Sequence, residues 1–154
     1  MSRIVRLVVG VLLGAFVLGA CGDGGDIGGA QAANADRADE ICLNAQDKVG
    51  RQLGDDPGAD RDAIREAADQ LKSINPPSEN ENTWQLMVQN VNNLWISLDD
   101  VAQSLDPNVN DKARAERARV TVRENNEKVM RYADQYRAEE CARGFGTGDE
   151  RDRK

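Results

Sequence analysis

The side chains able to do chemistry are few, and the absences narrow the choice. The 154-residue chain carries three Cys, at positions 21, 42 and 141, and no His. A thiol can serve as a nucleophile, a metal ligand or half of a disulfide. Without a His base a hydrolytic triad of the usual kind cannot be assembled. No Gly-x-Ser-x-Gly elbow, phosphate loop or dinucleotide fingerprint occurs. The acid pairs Asp99-Asp100 and Glu139-Glu140 are sequence neighbours, splayed apart on a helix, and read as solvated surface. Asp55, Asp56, Asp60 and Asp62 could be read as a calcium loop, but they lack EF-hand spacing. Asp before Pro57, and in the first turn of a following helix, is what capping and the helix dipole favour. Tyr132 and Tyr136 could ligate haem iron through a phenolate, yet both fall on a packing stripe with no His to assist. No catalytic, cofactor-binding or metal residue is assigned, and the chain reads as a non-enzyme.

Residues 1–21 carry the clearest signal. Arg3 and Arg6 precede an apolar run, Leu7 to Val17, interrupted only by Gly10 and Gly14. A basic start followed by a short apolar run is the order of a secretory signal peptide. The run falls short of the ~20 apolar residues that a membrane-spanning helix needs. It ends in Leu18-Gly19-Ala20-Cys21, which resembles the lipobox of bacterial lipoproteins. The resemblance implies cleavage before Cys21, a diacylglyceryl group on its sulfur, and acylation (palmitate or similar) of the new amino terminus. Several acyl chains on one residue anchor firmly, where a single chain binds marginally. Against this stand an ordinary signal peptide cut near Ala20 and an uncleaved anchor.

With Cys21 carrying lipid, Cys42 and Cys141 remain as an even pair in an exported protein, where a disulfide is expected. The same assignment leaves too few thiols, and no imidazole, for a tetrahedral zinc site. Removing residues 1–20 takes away two Arg and no acids, leaving 18 basic and 27 acidic side chains, net −9. That charge argues against nucleic acid and against adhesion to anionic headgroups. The 15 Arg to 5 Lys, with plentiful Ala, Asp and Gly, suit a GC-rich genome. Lipobox and Cys spacing together resemble the small all-helical lipoproteins of actinobacteria or their phages, a class without a motif that names an activity.

These residues must be positioned by helices. Gly22 to Gly29 holds five Gly in eight residues and reads as a tether; a single Gly/Asp turn is too little for a stacked calcium repeat. From Ala30, the spacing of Ala38, Ile41/Cys42, Ala45, Val49 and Leu53 predicts an amphipathic helix, stopped by Gly54. Ile64, Ala67/Ala68, Leu71 and Ile74 mark a second helix ended by Pro76-Pro77. Ser78 and Glu81 form a capping-box signature for a third. In that third helix Trp84, Val91, Leu98 and Leu105 recur every seven residues, with Met87/Val88, Leu94/Trp95 and Val101/Ala102 between them. This is a heptad seam in which Trp84 and Trp95 are core rather than ligand-stacking residues. A fourth helix, capped by Asn108 or Asn110, is predicted to run to about Arg143. Its stripe is Ala115, Ala118, Val122, Asn125, Val129, Tyr132/Ala133, Tyr136 and Cys141, with Asn125 either fixing register or lying at the edge.

The expectation is an all-α, antiparallel four-helix bundle. Residues 1–20 are the signal peptide, 21–33 the lipidated Cys and tether, 34–144 the bundle and 145–154 a disordered tail. A bridge from Cys42, near the start of the first helix, to Cys141, at the end of the fourth, favours an even helix count, since those ends then coincide. The functional expectation is a non-enzymatic interaction module on the extracytoplasmic face of the cell membrane, with an envelope protein as partner. The alternative is a carrier or receptor holding a small apolar ligand between helices.

Overall fold

A computed structural model describes residues 28–76 and 78–146. The signal segment 1–20, Cys21 and the residues from 147 onward lie outside the described residues. Four long helices and a short fifth follow in order: α1 (Gly29–Lys48), α2 (Pro57–Lys72), α3 (Glu81–Leu105), α4 (Lys112–Tyr136) and α5 (Glu139–Ala142). A 3₁₀ turn, Ser78–Asn80, precedes α3. There is no β-strand among the described residues.

The long helices run up-down-up-down. Near the start of α1, Gln31 donates to the Tyr136 carbonyl at the end of α4 (3.2 Å) and accepts from Asn80 at the start of α3 (2.6 Å). Asn34 donates to the Asn75 carbonyl beyond α2 at 2.8 Å. Four helix ends therefore meet at one pole, and the loops 49–56 and 106–111 form the other. The fold is the all-α antiparallel bundle that the periodicities predict.

The third-helix seam becomes the centre of the molecule, with α3 packed against both α2 and α4. Trp84, Met87, Val91, Leu94, Leu98 and Val101 are buried, and each such side chain contributes about 1.5–3 kcal/mol on burial. Leu105, the last heptad position, is instead 39% exposed, because the helix ends there and has no neighbour to cover it. The α4 stripe packs as read: Ala115, Ala118, Val122, Asn125, Val129, Ala133 and Tyr136 are all buried. Asn125 donates to Ser97 Oγ at 3.1 Å, and Ser97 donates to the Asn93 carbonyl at 2.8 Å. That relay ties α3 to α4 in one register and satisfies the buried amide.

Several boundaries differ from the sequence reading. α1 starts at Gly29, one residue before the helix read from Ala30, so residues 29–33, assigned to the tether, are helical; Ala30, Ala32 and Ala33 are good helix formers and Gln31 finds partners at the ends of α3 and α4. α1 ends at Lys48, so Val49 and Leu53 belong to the loop. Ser78 and Glu81 do not close a capping box: Ser78 sits in the 3₁₀ turn, and α3 begins after Asn80 without a side-chain cap. Asp111 rather than Asn108 or Asn110 caps α4, accepting from Arg114 N–H at 2.9 Å. The largest difference is at the carboxyl end. α4 stops at Tyr136, Arg137 turns the chain in a left-handed conformation (φ 66°), and α5 follows. Phe145, assigned to the tail, is 1% exposed and belongs to the core.

Candidate functional site

Two of the three cysteines lie among the described residues, and they pair with each other. Cys42 and Cys141 form a disulfide, with Sγ atoms 2.03 Å apart and Cα atoms 5.2 Å apart, and both are fully buried. The bond lies elsewhere than expected. Cys42 sits in the second half of α1, and Cys141 is on α5 rather than α4. The disulfide therefore joins the first helix to the segment that folds back after the fourth.

That segment, Ala138 to Gly146, is a strap laid between α1 and α4, and α5 packs on both. Three side chains hold it. Asp39 on α1 caps α5: one carboxylate oxygen accepts from Glu140 N–H (2.7 Å) and Cys141 N–H (3.3 Å), the other from Glu139 N–H (3.0 Å). An acid at a helix N-terminus is favoured by the orphan N–H groups and the dipole. Burial pushes the Asp39 carboxyl above the ordinary carboxylate range; the three N–H donors offset that in part, and the Glu140 charge adds to it. Gln46 donates to the Glu140 carbonyl at 2.7 Å. Asn126 on α4 clamps the Phe145 backbone by a reciprocal pair, donating to its carbonyl and accepting from its N–H, both at 3.1 Å.

The four loop acids do not converge. Asp56 caps α2 through Ala59 N–H (3.2 Å). Asp60 is fully buried and accepts from Gly54 N–H (2.7 Å) and Gly50 N–H (3.1 Å), folding the 49–56 loop onto α2. Asp62 pairs with Arg61, which also reaches Asp99 on α3 at 3.0 Å. Among the described residues no group of three or more His, Cys, Asp or Glu is placed to hold a metal.

The aromatic residues sit in packing roles. Trp84 and Tyr136 are both buried, their ring centroids 4.9 Å apart and tilted by 56°. The Tyr136 hydroxyl is buried without a hydrogen bond, and burial raises its pKa. Asn34 lies close enough to moderate that rise, while its amide nitrogen donates to the Asn75 carbonyl. Tyr132 is half-buried against the core edge. Trp95, also half-buried, donates to Asn92 at 3.1 Å and lies 5.6 Å beneath the Arg65 guanidinium, a cation–π contact.

Surface grooves flank the bundle. One of about 540 Å³ lies between the end of α2 and the start of α3, beside Trp84. Two of its amides are engaged by neighbours: Gln85 with Glu81, and Asn92 with Lys72 and Trp95. Another, of about 300 Å³, lies between the 49–56 loop, α4 and the strap. Both open to solvent rather than enclosing a chamber between helices. The Phe145 strap, which forms part of the second groove, had a sequence signal only in retrospect: an aromatic residue set among glycines close to a Cys. Among the described residues no helix is long and apolar enough to cross a membrane. No family model, curated protein or solved structure matches this chain.

Proposed function

We propose that this chain is a lipoprotein of the cell envelope, anchored through Cys21 on the extracytoplasmic face of the cell membrane, whose bundle is a non-enzymatic module for a protein partner. The Cys42–Cys141 disulfide carries this reading, because such bonds persist in oxidising compartments. Leu18-Gly19-Ala20-Cys21, with its resemblance to a lipobox, supplies an attachment for an exported chain. Seven residues, 22–28, separate the anchor from α1 and reach roughly 23–25 Å at full extension. The pole where α1 begins would then face the bilayer, and the 49–56 and 106–111 loops would face outward. At that outer pole Leu105 and Val109 are 39% and 53% exposed, the kind of apolar surface a partner covers. The core gives less support to an apolar ligand held between helices, since Leu94, Leu98, Val101 and Val129 fill the α3–α4 seam.

Intact-mass analysis of the membrane fraction, with and without reduction and alkylation, tests the anchor. The expected mass begins at Cys21 and includes acyl chains, with two thiols alkylated only after reduction. An unlipidated mass cut near Ala20 would overturn it. A photo-crosslinker at Val109 then tests the outer pole: it should capture one envelope protein that the same group at Glu79, on the opposite pole, does not.

A further inference from the structure

The groove between α4 and the strap has a composition that the partner-surface reading does not use. Its apolar lining is Leu53 from the loop, Val122 from α4 and Phe145 from the strap. Arg119 and Arg123, one turn apart on α4, stand on its rim. Among the described residues neither guanidinium reaches a carboxylate or another side-chain acceptor; Glu116 and Glu127, a turn to either side, do not close on them. Lys48, Arg61, Lys72, Arg114 and Arg143 make ion pairs elsewhere on the surface. Two like charges at i,i+4 repel, so the unpaired arrangement is destabilising by itself.

We infer that this groove binds a small amphiphilic anion. Its carboxylate or phosphate head would be held by Arg119 and Arg123, and its short apolar part would rest on Leu53, Val122 and Phe145. Guanidinium forks match both oxyanions and recognise them by paired N–H donors. The volume, about 300 Å³, suits a ligand of amino-acid to dipeptide size. Asp55 from the 49–56 loop also lines the groove, and its charge would repel an anionic head placed on that side, so the head must sit at the Arg pair. The groove exists only while the strap is folded back, because the strap supplies Phe145. The disulfide that pins the strap thus also completes the site.

Ligand-observed NMR titration of the full chain in nanodiscs tests the inference, using phenylacetate, phenyl phosphate, phenylacetamide and inorganic phosphate as probes. Phenylacetate or phenyl phosphate should bind at or below about 1 mM, weaken with salt, and lose at least tenfold in the R119Q/R123Q variant. The tighter of the two anions identifies the head group as carboxylate or phosphate. Equal binding of the uncharged amide would overturn the role of the Arg pair, and inorganic phosphate binding as well as phenyl phosphate would overturn that of the apolar lining. Should the double variant fail to fold, Arg123→Gln alone, an exposed position with no contact to lose, must weaken binding by threefold or more. Unchanged affinity in a folded variant rejects the site while leaving the anchor and outer pole untouched.

Discussion

Asn126 and Phe145, nineteen residues apart, are joined by two hydrogen bonds of 3.1 Å between one side-chain amide and the backbone N–H and C=O of one residue. The amide stands in for a neighbouring backbone, satisfying a buried segment that has no helix or sheet of its own. The carboxyl-terminal strap depends on this pair as much as on the disulfide. Phe145→Ala should destabilise the fold by about 3–5 kcal/mol in urea unfolding, as expected for a fully buried aromatic. Asn126→Ala should cost about 1–3 kcal/mol, since it orphans both groups. A cost below ~0.5 kcal/mol for both would mean that the strap is not part of the cooperative unit.

The Cys42–Cys141 bond closes a sequence separation of 99 residues, and the chain-entropy model assigns such a loop ~4–5 kcal/mol. Cys141→Ala should lower stability by about 2–5 kcal/mol. Limited trypsin digestion should then cut first at Arg137 and Arg143. Faster cleavage within α3 instead would show that the loss is global rather than centred on the strap.

Asp39 is held above the ordinary carboxylate range by burial. The folded state therefore binds its proton more tightly than the unfolded state. Its contribution is largest below the unfolded pKa and is lost as pH rises through the folded value. Asp39→Asn cannot titrate. The melting temperature of the parent minus that of Asp39→Asn should grow more positive as pH falls from about 7 to about 3. A gap that shrinks on acidification would mean that the three N–H bonds outweigh burial.

Gly146 adopts φ +68°, and a Cβ there would lie 2.4 Å from the Leu53 backbone nitrogen. Gly144 also has positive φ, but its Cβ would meet the Met130 side chain, which can move aside. Gly146→Ala should cost more than Gly144→Ala, by ~1 kcal/mol or more in paired urea titrations. The reverse order would place Gly146 away from the loop.

Tyr136 buries a hydroxyl with no hydrogen bond while its ring packs on Trp84. Tyr136→Phe keeps the ring and removes the orphaned group, so it should leave thermal stability unchanged or raise it by about 0.5–2 kcal/mol. A loss above ~1 kcal/mol would show that the hydroxyl has a partner.

The four long helices were legible because each states its period and its stops locally. The α4 stripe from Ala115 to Tyr136 is buried at every position named from spacing except the half-buried Tyr132, and Asp56 caps α2 as the Asp-Pro pair suggests. The break after Tyr136 was not legible. Ala138, Glu139 and Glu140 are ordinary helix formers, and an Arg at positive φ has no sequence signature. A local reading therefore carried α4 through to about Arg143.

By itself the sequence determined the number of long helices in the bundle, their inward faces and the candidate Cys pair, because these follow from near-neighbour spacing and residue chemistry. The tertiary structure decided where α4 ends and that Cys141 faces α1 from a separate helix. It also decided that Phe145 is core and that Arg119 and Arg123 border a groove. Each of these depends on partners distant in sequence — Asp39 for α5, Asn126 for Phe145, Leu53 for Gly146 — and contacts of that range are invisible until the chain has folded back on itself.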